Sequence, residues 1–277
     1  MKLCIAFAML SLVPMTVHAD DSVEDFRIIT VSGPVAVIPA GSDAPLAAAT
    51  GLPLSTGDRV VTGAGGAAEL ATKAGSVIRL DGNSSLGLDD LRSGWTTFRL
   101  AVGRFLGKFQ HSATSHYAVK TPVAVASVRG TEFALDVSND GELNAGVVEG
   151  EVALESPTES ETDAAPPAPW TEEVLTTAQG LSVRPLERPR RLSEIPGPLV
   201  ASLDWFPKIR ERIPRLRETW KDLDPLARQQ LRVASLRERV QWAVPGRLRS
   251  SRPAPRDRVA PRPIERRHLR RPDPKRP

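Results

Sequence analysis

Metal ligation, nucleophilic catalysis and phosphate binding each need particular side chains at particular spacings, and this sequence offers few places to look for them. His111 and His116 stand five residues apart, with no cysteine near them. Metal-binding pairs fall two apart on a strand or four apart on one helical face, so these two predict loop histidines. Asp81-Gly82-Asn83-Ser84-Ser85 begins like a calcium loop. However, Leu86 stands where such a loop needs its turn glycine, and Arg92 where it needs the bidentate glutamate. An asparagine–serine turn between strands is the reading that remains. Gly63 to Gly66 has no Lys-Ser behind it to cradle a phosphate, and neither histidine has a motif partner for a Ser-His-Asp arrangement. Asp89-Asp90 reads as a solvated polar turn. The expectation is no catalytic site, no metal site and no cofactor.

The elements that frame these residues follow from composition. Lys2, the apolar run Leu3 to Val17, and small or medium side chains at Val17 and Ala19 form the layout of a secretory signal peptide cleaved after Ala19. The run is shorter than the ~20 residues of a membrane span, though an uncleaved anchor is the alternative. The only cysteine, Cys4, precedes the end of this run, too early to carry a lipid, and a mature chain starting at Asp20 has no disulfide.

Charge divides the rest. Residues 1–183 hold 11 Lys+Arg against 22 Asp+Glu, a net of −11; residues 184–277 hold 26 against 11, a net of +15. Eighteen of 20 glycines precede position 184 and 15 of 25 prolines follow it, which separates a turn-rich β region from an extended or partly helical one. The expected organisation is a signal peptide (1–19), a β domain (20–184), a basic and partly helical region (185–246) and a disordered Arg/Pro-rich tail (247–277).

Within the β region apolar residues alternate with period two, the mark of strands with one buried face. Val35 and Val37, Leu70, Ile78 and Leu80, and Leu86 and Leu88 recur at strand-and-turn intervals. Thr131, Phe133, Leu135 and Val137 share one face, with Glu132, Ala134 and Asp136 on the other. Ser138-Asn139-Asp140-Gly141 is then a hairpin turn, returning through Leu143, Ala145 and Val147 and turning again at Glu149-Gly150 before Val152 and Leu154. Val174-Leu175 and Gln179 to Val183 are expected as one or two closing strands. The fold class is all-β: a small sandwich, jelly roll or short β-helix.

The run Lys120-Thr121-Pro122-Val123-Ala124-Val125-Ala126-Ser127-Val128-Arg129-Gly130-Thr131-Glu132-Phe133 closely resembles the core motif of FecR-type domains. Glu149-Gly150-Glu151-Val152 is similar to the E-G-x-V that ends it, Leu54 to Asp58 to the family's L-x-x-G-D, and Gly75 to Ser84 to its G-S-x-I-x-L-x-x-N-S. The resemblance covers about residues 28–154. It implies an envelope β domain built for protein contacts, in which Thr121, Pro122, Val128, Arg129, Gly130, Thr131, Phe133, Glu149 and Gly150 are structural. Family members join such a domain to a membrane span and a cytoplasmic arm that controls a sigma factor in response to an iron-siderophore receptor. The start of this sequence shows no such arm, so the expectation is a sensing or protein-binding module in the periplasm, with sigma-factor regulation as the alternative. A glycan-binding module is a further alternative, which needs exposed aromatics on the β domain, where Trp95 and Tyr117 are the candidates. Arg129, between Val128 and Gly130, is expected to make a bidentate bond to a carboxylate or to turn carbonyls. Its other reading is an exposed anchor for an anionic partner.

In the basic region Asp224-Pro225 is a helix start, with Asp as N-cap and proline at the first position. Leu226, Val233, Leu236 and Val240 mark one face of a helix running to about Ala243, before Pro245-Gly246. A shorter helix is expected from about Pro207 to Lys221, interrupted at Pro214. Residues 184–277 are expected to be mechanically separate from the β domain and to hold the protein near an anionic membrane surface. The partners expected are another envelope protein and that surface, with no nucleic acid.

Overall fold

The computed structural model describes residues 24–157 and 170–240. The signal segment 1–19, most of the acidic and proline-rich stretch, Trp242, Pro245-Gly246 and the segment 247–277 lie outside the described residues. The strands in chain order are β1 (Arg27–Ser32), β2 (Val35–Ile38), β3 (Leu46–Ala47), β4 (Arg59–Thr62), β5 (Ala67–Ala71), β6 (Val77–Leu80), β7 (Ser85–Arg92) and β8 (Trp95–Lys108). They continue with β9 (His116–Lys120), β10 (Val125–Val128), β11 (Glu132–Val137), β12 (Leu143–Glu149), β13 (Glu151–Glu155), β14 (Glu172–Thr176), β15 (Gly180–Val183) and β16 (Arg190–Leu192). Helices α1 (Gly197–Val200), α2 (Trp205–Thr219) and α3 (Pro225–Ser235) follow.

The long strand β8 organises the sheets. Its first half lies between β7 and β9, and its second half between β6 and β11. Two sheets therefore share one strand. One runs β3-β2-β4-β7-β8-β9-β10-β13-β14, the other β1-β5-β6-β8-β11-β12-β15-β16. All pairs but β8–β9 are antiparallel, which makes this a sandwich and removes the β-helix, whose strands pair in parallel. The period-two pattern fills the space between the sheets: Val35, Val37, Leu70, Ile78, Leu80, Leu86, Leu88, Phe133, Leu135, Val137, Leu143, Ala145, Val147, Val152 and Leu154 all join one buried cluster. The hairpin turn closes as expected, with Gly141 N–H donating to the Ser138 carbonyl at 3.0 Å. Val174-Leu175 and Gln179 to Val183 become β14 and β15, one on each sheet.

The basic region departs from its expectation. A second cluster lies on the outer face of the β8–β11 sheet, where Ala71, Val77, Leu106 and Ala134 meet Leu199, Trp205, Phe206, Ile209 and Ile213. Residues 185–240 are thus packed on the β domain and not mechanically separate from it, because the outer face of this sheet carries its own apolar stripe. Helix α2 is the longer of the two main helices, 15 residues against 11, and runs through Pro214. Helix α3 starts as expected, Asp224 accepting a hydrogen bond from Ala227 N–H at 2.8 Å, but ends at Ser235. Leu236 leaves helical geometry there, and Leu46 pairs with Arg239 on the edge of the other sheet. The four-residue face drawn through Val240 therefore divides: Leu226 and Val233 stay on the helix and point to solvent, while Leu236 and Val240 pack on the β domain.

Candidate functional site

Two features of the β domain stand out from ordinary sandwich packing: a pair of crossover loops, and a set of buried acids clamped by arginines from α2 and α3.

The crossovers explain the motif residues. The chain leaves the first sheet at Val128, passes Arg129-Gly130-Thr131, and enters the second sheet at Glu132. It returns from Glu149 through Gly150 to Glu151. These two passages press together. Gly150 has φ +94°, and a Cβ there would lie 3.2 Å from the Gly130 carbonyl oxygen and from Thr131 Oγ1. Gly130 has φ +75°, and its Cβ would lie 2.5 Å from His111 Cα. Only glycine suits both the left-handed backbone and the contact. Thr131 Oγ1 donates to the Glu151 carbonyl at 2.8 Å, tying one crossover to the other. Val128 and Phe133 enter the core on either side. Thr121 closes the preceding turn, its hydroxyl donating to the Ala124 carbonyl at 2.8 Å and accepting from Ala124 N–H at 3.0 Å, with Pro122 exposed between them.

Arg129 differs from its expected role. Among the described residues it makes no bidentate carboxylate bond; it is exposed, and its Nε donates to His116 Nδ1 at 2.9 Å. The crossover turns its side chain outward, away from the packed sheet. His116 in turn lies against Trp95, centroids 5.3 Å apart, and Trp95 is 52% exposed. Tyr117 is buried, its hydroxyl donating to Glu24 at 2.9 Å. Burial pushes the Glu24 carboxyl above its ordinary range despite the bonds from Tyr117 and Thr96. Asp81 to Ser85 form a turn with Asn83 at φ 59°, and Ser84 Oγ donates to the Asp81 carbonyl at 2.7 Å. Among the described residues no cluster of three or more His, Cys, Asp or Glu is placed to hold a metal ion.

The acid clamps were not legible as a site in the sequence. On the outer face under α2, Lys108, Glu132 and Glu149 are cross-strand neighbours. Two carboxylates directly opposite each other repel, so the row needs cations. Lys108 Nζ donates to Glu132 at 2.8 Å; Arg210 Nε donates to Glu132 at 2.7 Å, and its Nη2 bonds both Glu132 and, at 2.9 Å, Glu149. A second row, Thr30, Glu69 and Arg79, lies on the same face. Glu69 accepts from Trp205 Nε1 at 2.8 Å, from Arg212 at 2.7 and 3.1 Å, and from Thr30 at 2.8 Å. Burial alone would raise both carboxyls. The bonds from Arg212, Trp205 and Thr30 hold Glu69 below the ordinary glutamate range, and those from Arg210 and Lys108 do so for Glu132.

The third clamp involves α3 and the L-x-x-G-D segment. Asp58 is fully buried, accepting backbone N–H bonds from Ser55 at 2.8 Å and Ala40 at 3.1 Å. Arg232 approaches it bidentately at 2.5 and 2.6 Å and also donates to the Pro53 carbonyl at 3.1 Å. Arg228, one helical turn earlier, bonds Asp25 and the Leu54 carbonyl. Spacing does carry a signal for this contact: arginines at i and i+4 lie on one helix face, so Arg228 and Arg232 can reach the same surface.

Residues 58–153 match the family model described as FecR protein. No curated protein matches the chain. Two crystal structures, both of a "putative anti-sigma factor" from Parabacteroides distasonis ATCC 8503, are similar to it. The one at 1.65 Å has 14% identity and a TM-score of 0.43 over 52% of this chain and 64% of that one. The one at 2.50 Å has 13% identity and a TM-score of 0.41 over 49% and 59%. The chain thus spans less than two thirds of the length of either structure. The matched segment begins at the buried Asp58 and contains both crossover passages, and on that match this chain carries a FecR-type domain.

Proposed function

We propose that the protein is a non-catalytic regulator in sigma-factor signalling, with the FecR-type domain as the sensing part that binds another envelope protein. The family match over residues 58–153 carries this reading, taken with the resemblance of the Lys120–Phe133 run to domains that serve sigma-factor control. It puts regulation ahead of the free-standing periplasmic module that the start of the sequence suggested. The glycan-binding alternative gains only Trp95, since Tyr117 is buried.

Lys2, the run Leu3 to Val17 and Ala19 support export, and with it a periplasmic domain. Cleavage after Ala19 leaves the domain to pass its signal through a partner, whereas retention of residues 1–19 tethers it to the membrane. Intact mass spectrometry of protein isolated from cells separates these two forms. Residues 247–277, with 12 Lys+Arg against 3 Asp+Glu, support an accessory hold on an anionic membrane surface. Co-sedimentation with anionic vesicles that persists in high salt would remove the electrostatic basis of that hold.

The test of the main reading combines crosslinking in intact cells with transcript profiling. Deleting the protein should change transcription of genes that depend on one alternative sigma factor, and crosslinking should capture an envelope protein. An unchanged transcript profile would overturn the regulatory reading.

A further inference from the structure

Helix α3 is held in an unusual way. It has no buried residue, and its large apolar side chains face outward: Leu226 is 63% exposed, Leu231 42% and Val233 64%. Its inward face is the arginine pair Arg228 and Arg232. Beyond the helix, Leu236 packs partly on the core, and the chain then runs along the edge strand β3. There Ala47 N–H donates to the Glu238 carbonyl at 2.7 Å and Val240 N–H to the Pro45 carbonyl at 3.1 Å. Residues 224–240 therefore form a strap with two grips, one on buried acid and carbonyl oxygens, the other on an open sheet edge.

The receiving surface exists without the strap. Asp58 is fixed by the backbone N–H groups of Ser55 and Ala40, and the Pro53 and Leu54 carbonyls belong to the same loop. With the strap lifted, this loop presents a buried carboxylate and two carbonyls, which is a receptor for guanidinium groups. The edge at Leu46 presents free backbone groups, which is a receptor for an extended segment. Little apolar burial holds the strap down, so it belongs to the low-stability end of the molecule. Burial and the neighbouring Arg232 charge also pull the Arg228 guanidinium below its ordinary value, the direction of a cation that gains by returning to water.

We propose that the Asp25, Pro53–Asp58 and Leu46 surface is a docking site for another chain's arginine-bearing helix followed by an extended segment, and that residues 224–240 are its displaceable resident. The identity of the outside chain rests on the protein-binding reading above; the exchange itself does not. Binding of the partner releases the strap from both grips.

A labelled peptide of residues 222–240 is the probe, used with the full-length chain. The variant Arg228→Ala/Arg232→Ala should bind it at least about tenfold more tightly than the unsubstituted chain, whose own strap competes at a high effective concentration. Raising salt from 0.05 to ~0.5 M should weaken that binding about tenfold or more. Equal affinity for both chains, or no binding to a variant that keeps its melting transition, would overturn the proposal. Hydrogen exchange on the unsubstituted chain covers the case of a misfolded variant. Excess peptide should speed exchange across residues 225–240 and leave 205–219 unchanged, and no change at 225–240 would overturn it equally. Neither readout depends on a sigma factor, so the docking site can fail while the regulatory reading stands.

Discussion

Helices α2 and α3 are both arginine-rich, adjacent in sequence and docked on the same β domain, yet they dock by opposite faces. Helix α2 turns Trp205, Phe206, Ile209 and Ile213 inward, with Arg210 and Arg212 reaching round the stripe to Glu132 and Glu69. Helix α3 turns its arginines inward and its aliphatic side chains outward. The charge environments differ in the same sense. Hydrogen bonds donated to their glutamates raise the Arg210 and Arg212 guanidiniums, whereas burial lowers that of Arg228. Burying one large apolar side chain contributes about 1.5–3 kcal/mol, so four in α2 outweigh any ion pair beside them. Helix α2 is therefore part of the fold. Helix α3 is held by charge, and charge-held contacts are the ones that salt, competing cations and partner chains can shift.

The largest test of this contrast is Phe206→Ala. The ring is fully buried between α2 and the sheet, and such truncations cost about 3–5 kcal/mol. The melting temperature should fall steeply; a change of under ~1 kcal/mol would show that α2 is docked as loosely as α3.

Acid is the next lever. Glu69 and Glu132 have folded values below the ordinary range, so their contribution is fully present above the usual glutamate pKa. It is lost as pH falls through the depressed folded values. Glu24 has the opposite sign: its raised carboxyl favours the protonated folded form, so the same acidification relieves a penalty there. The two clamps outnumber Glu24, and net stability should decline below about pH 4.5. Glu69→Gln/Glu132→Gln should flatten that decline in a pH series of melting curves, and an unaltered slope would remove the clamps from the account.

The β sandwich was legible because alternation is a direct consequence of strand geometry, and Phe133, Leu135 and Val137 could occupy only one face. The crossover glycines were legible as motif positions, although their reason, the contact of Gly150 with Gly130 and Thr131, is a tertiary one. The outer faces were not legible. Ala134 reads as a small residue on a polar face and becomes the floor under α2; Glu132 reads as solvated and is buried. A period-two pattern shows that one face is buried and does not tell whether a later segment covers the other. The arginines of α2 and α3 misled for a related reason. Local sequence marks them as solvent-facing, and their partners Asp58, Glu69 and Glu132 lie more than 70 residues away. Arg129 ran in reverse: first expected against a carboxylate or turn carbonyls, it lies outward on His116, exposed as in its other reading.

Arg232→Ala is smaller in effect than Phe206→Ala and sharpens the other side of the contrast. It leaves Asp58 buried with its two backbone donors, so the loss should be about 1–3 kcal/mol, not the full penalty of an isolated charge. The difference between the unsubstituted chain and the variant should shrink as salt rises, to the extent that solvent reaches the pair. Urea titrations at two ionic strengths measure both quantities. A loss above ~4 kcal/mol would make Arg232 a structural part of the core and α3 no strap at all.

The smallest expected effect is on the outward face of α3. Leu226 and Val233 touch little, so Leu226→Gln/Val233→Gln should change the stability of the isolated protein by no more than about 0.5 kcal/mol. The matching change on α2, Ile209→Gln, buries an amide in an apolar cluster and should cost several times as much. The near-neutral result is informative because exposed aliphatic side chains at roughly two-thirds exposure gain nothing from the fold that displays them. If urea midpoints of the α3 variant and the unsubstituted chain coincide while those of Ile209→Gln fall, the aliphatic face of α3 is unused in the folded monomer. If the α3 variant instead loses 1 kcal/mol or more, that face is packed in solution, and the inverted docking of α3 is not the state the protein keeps.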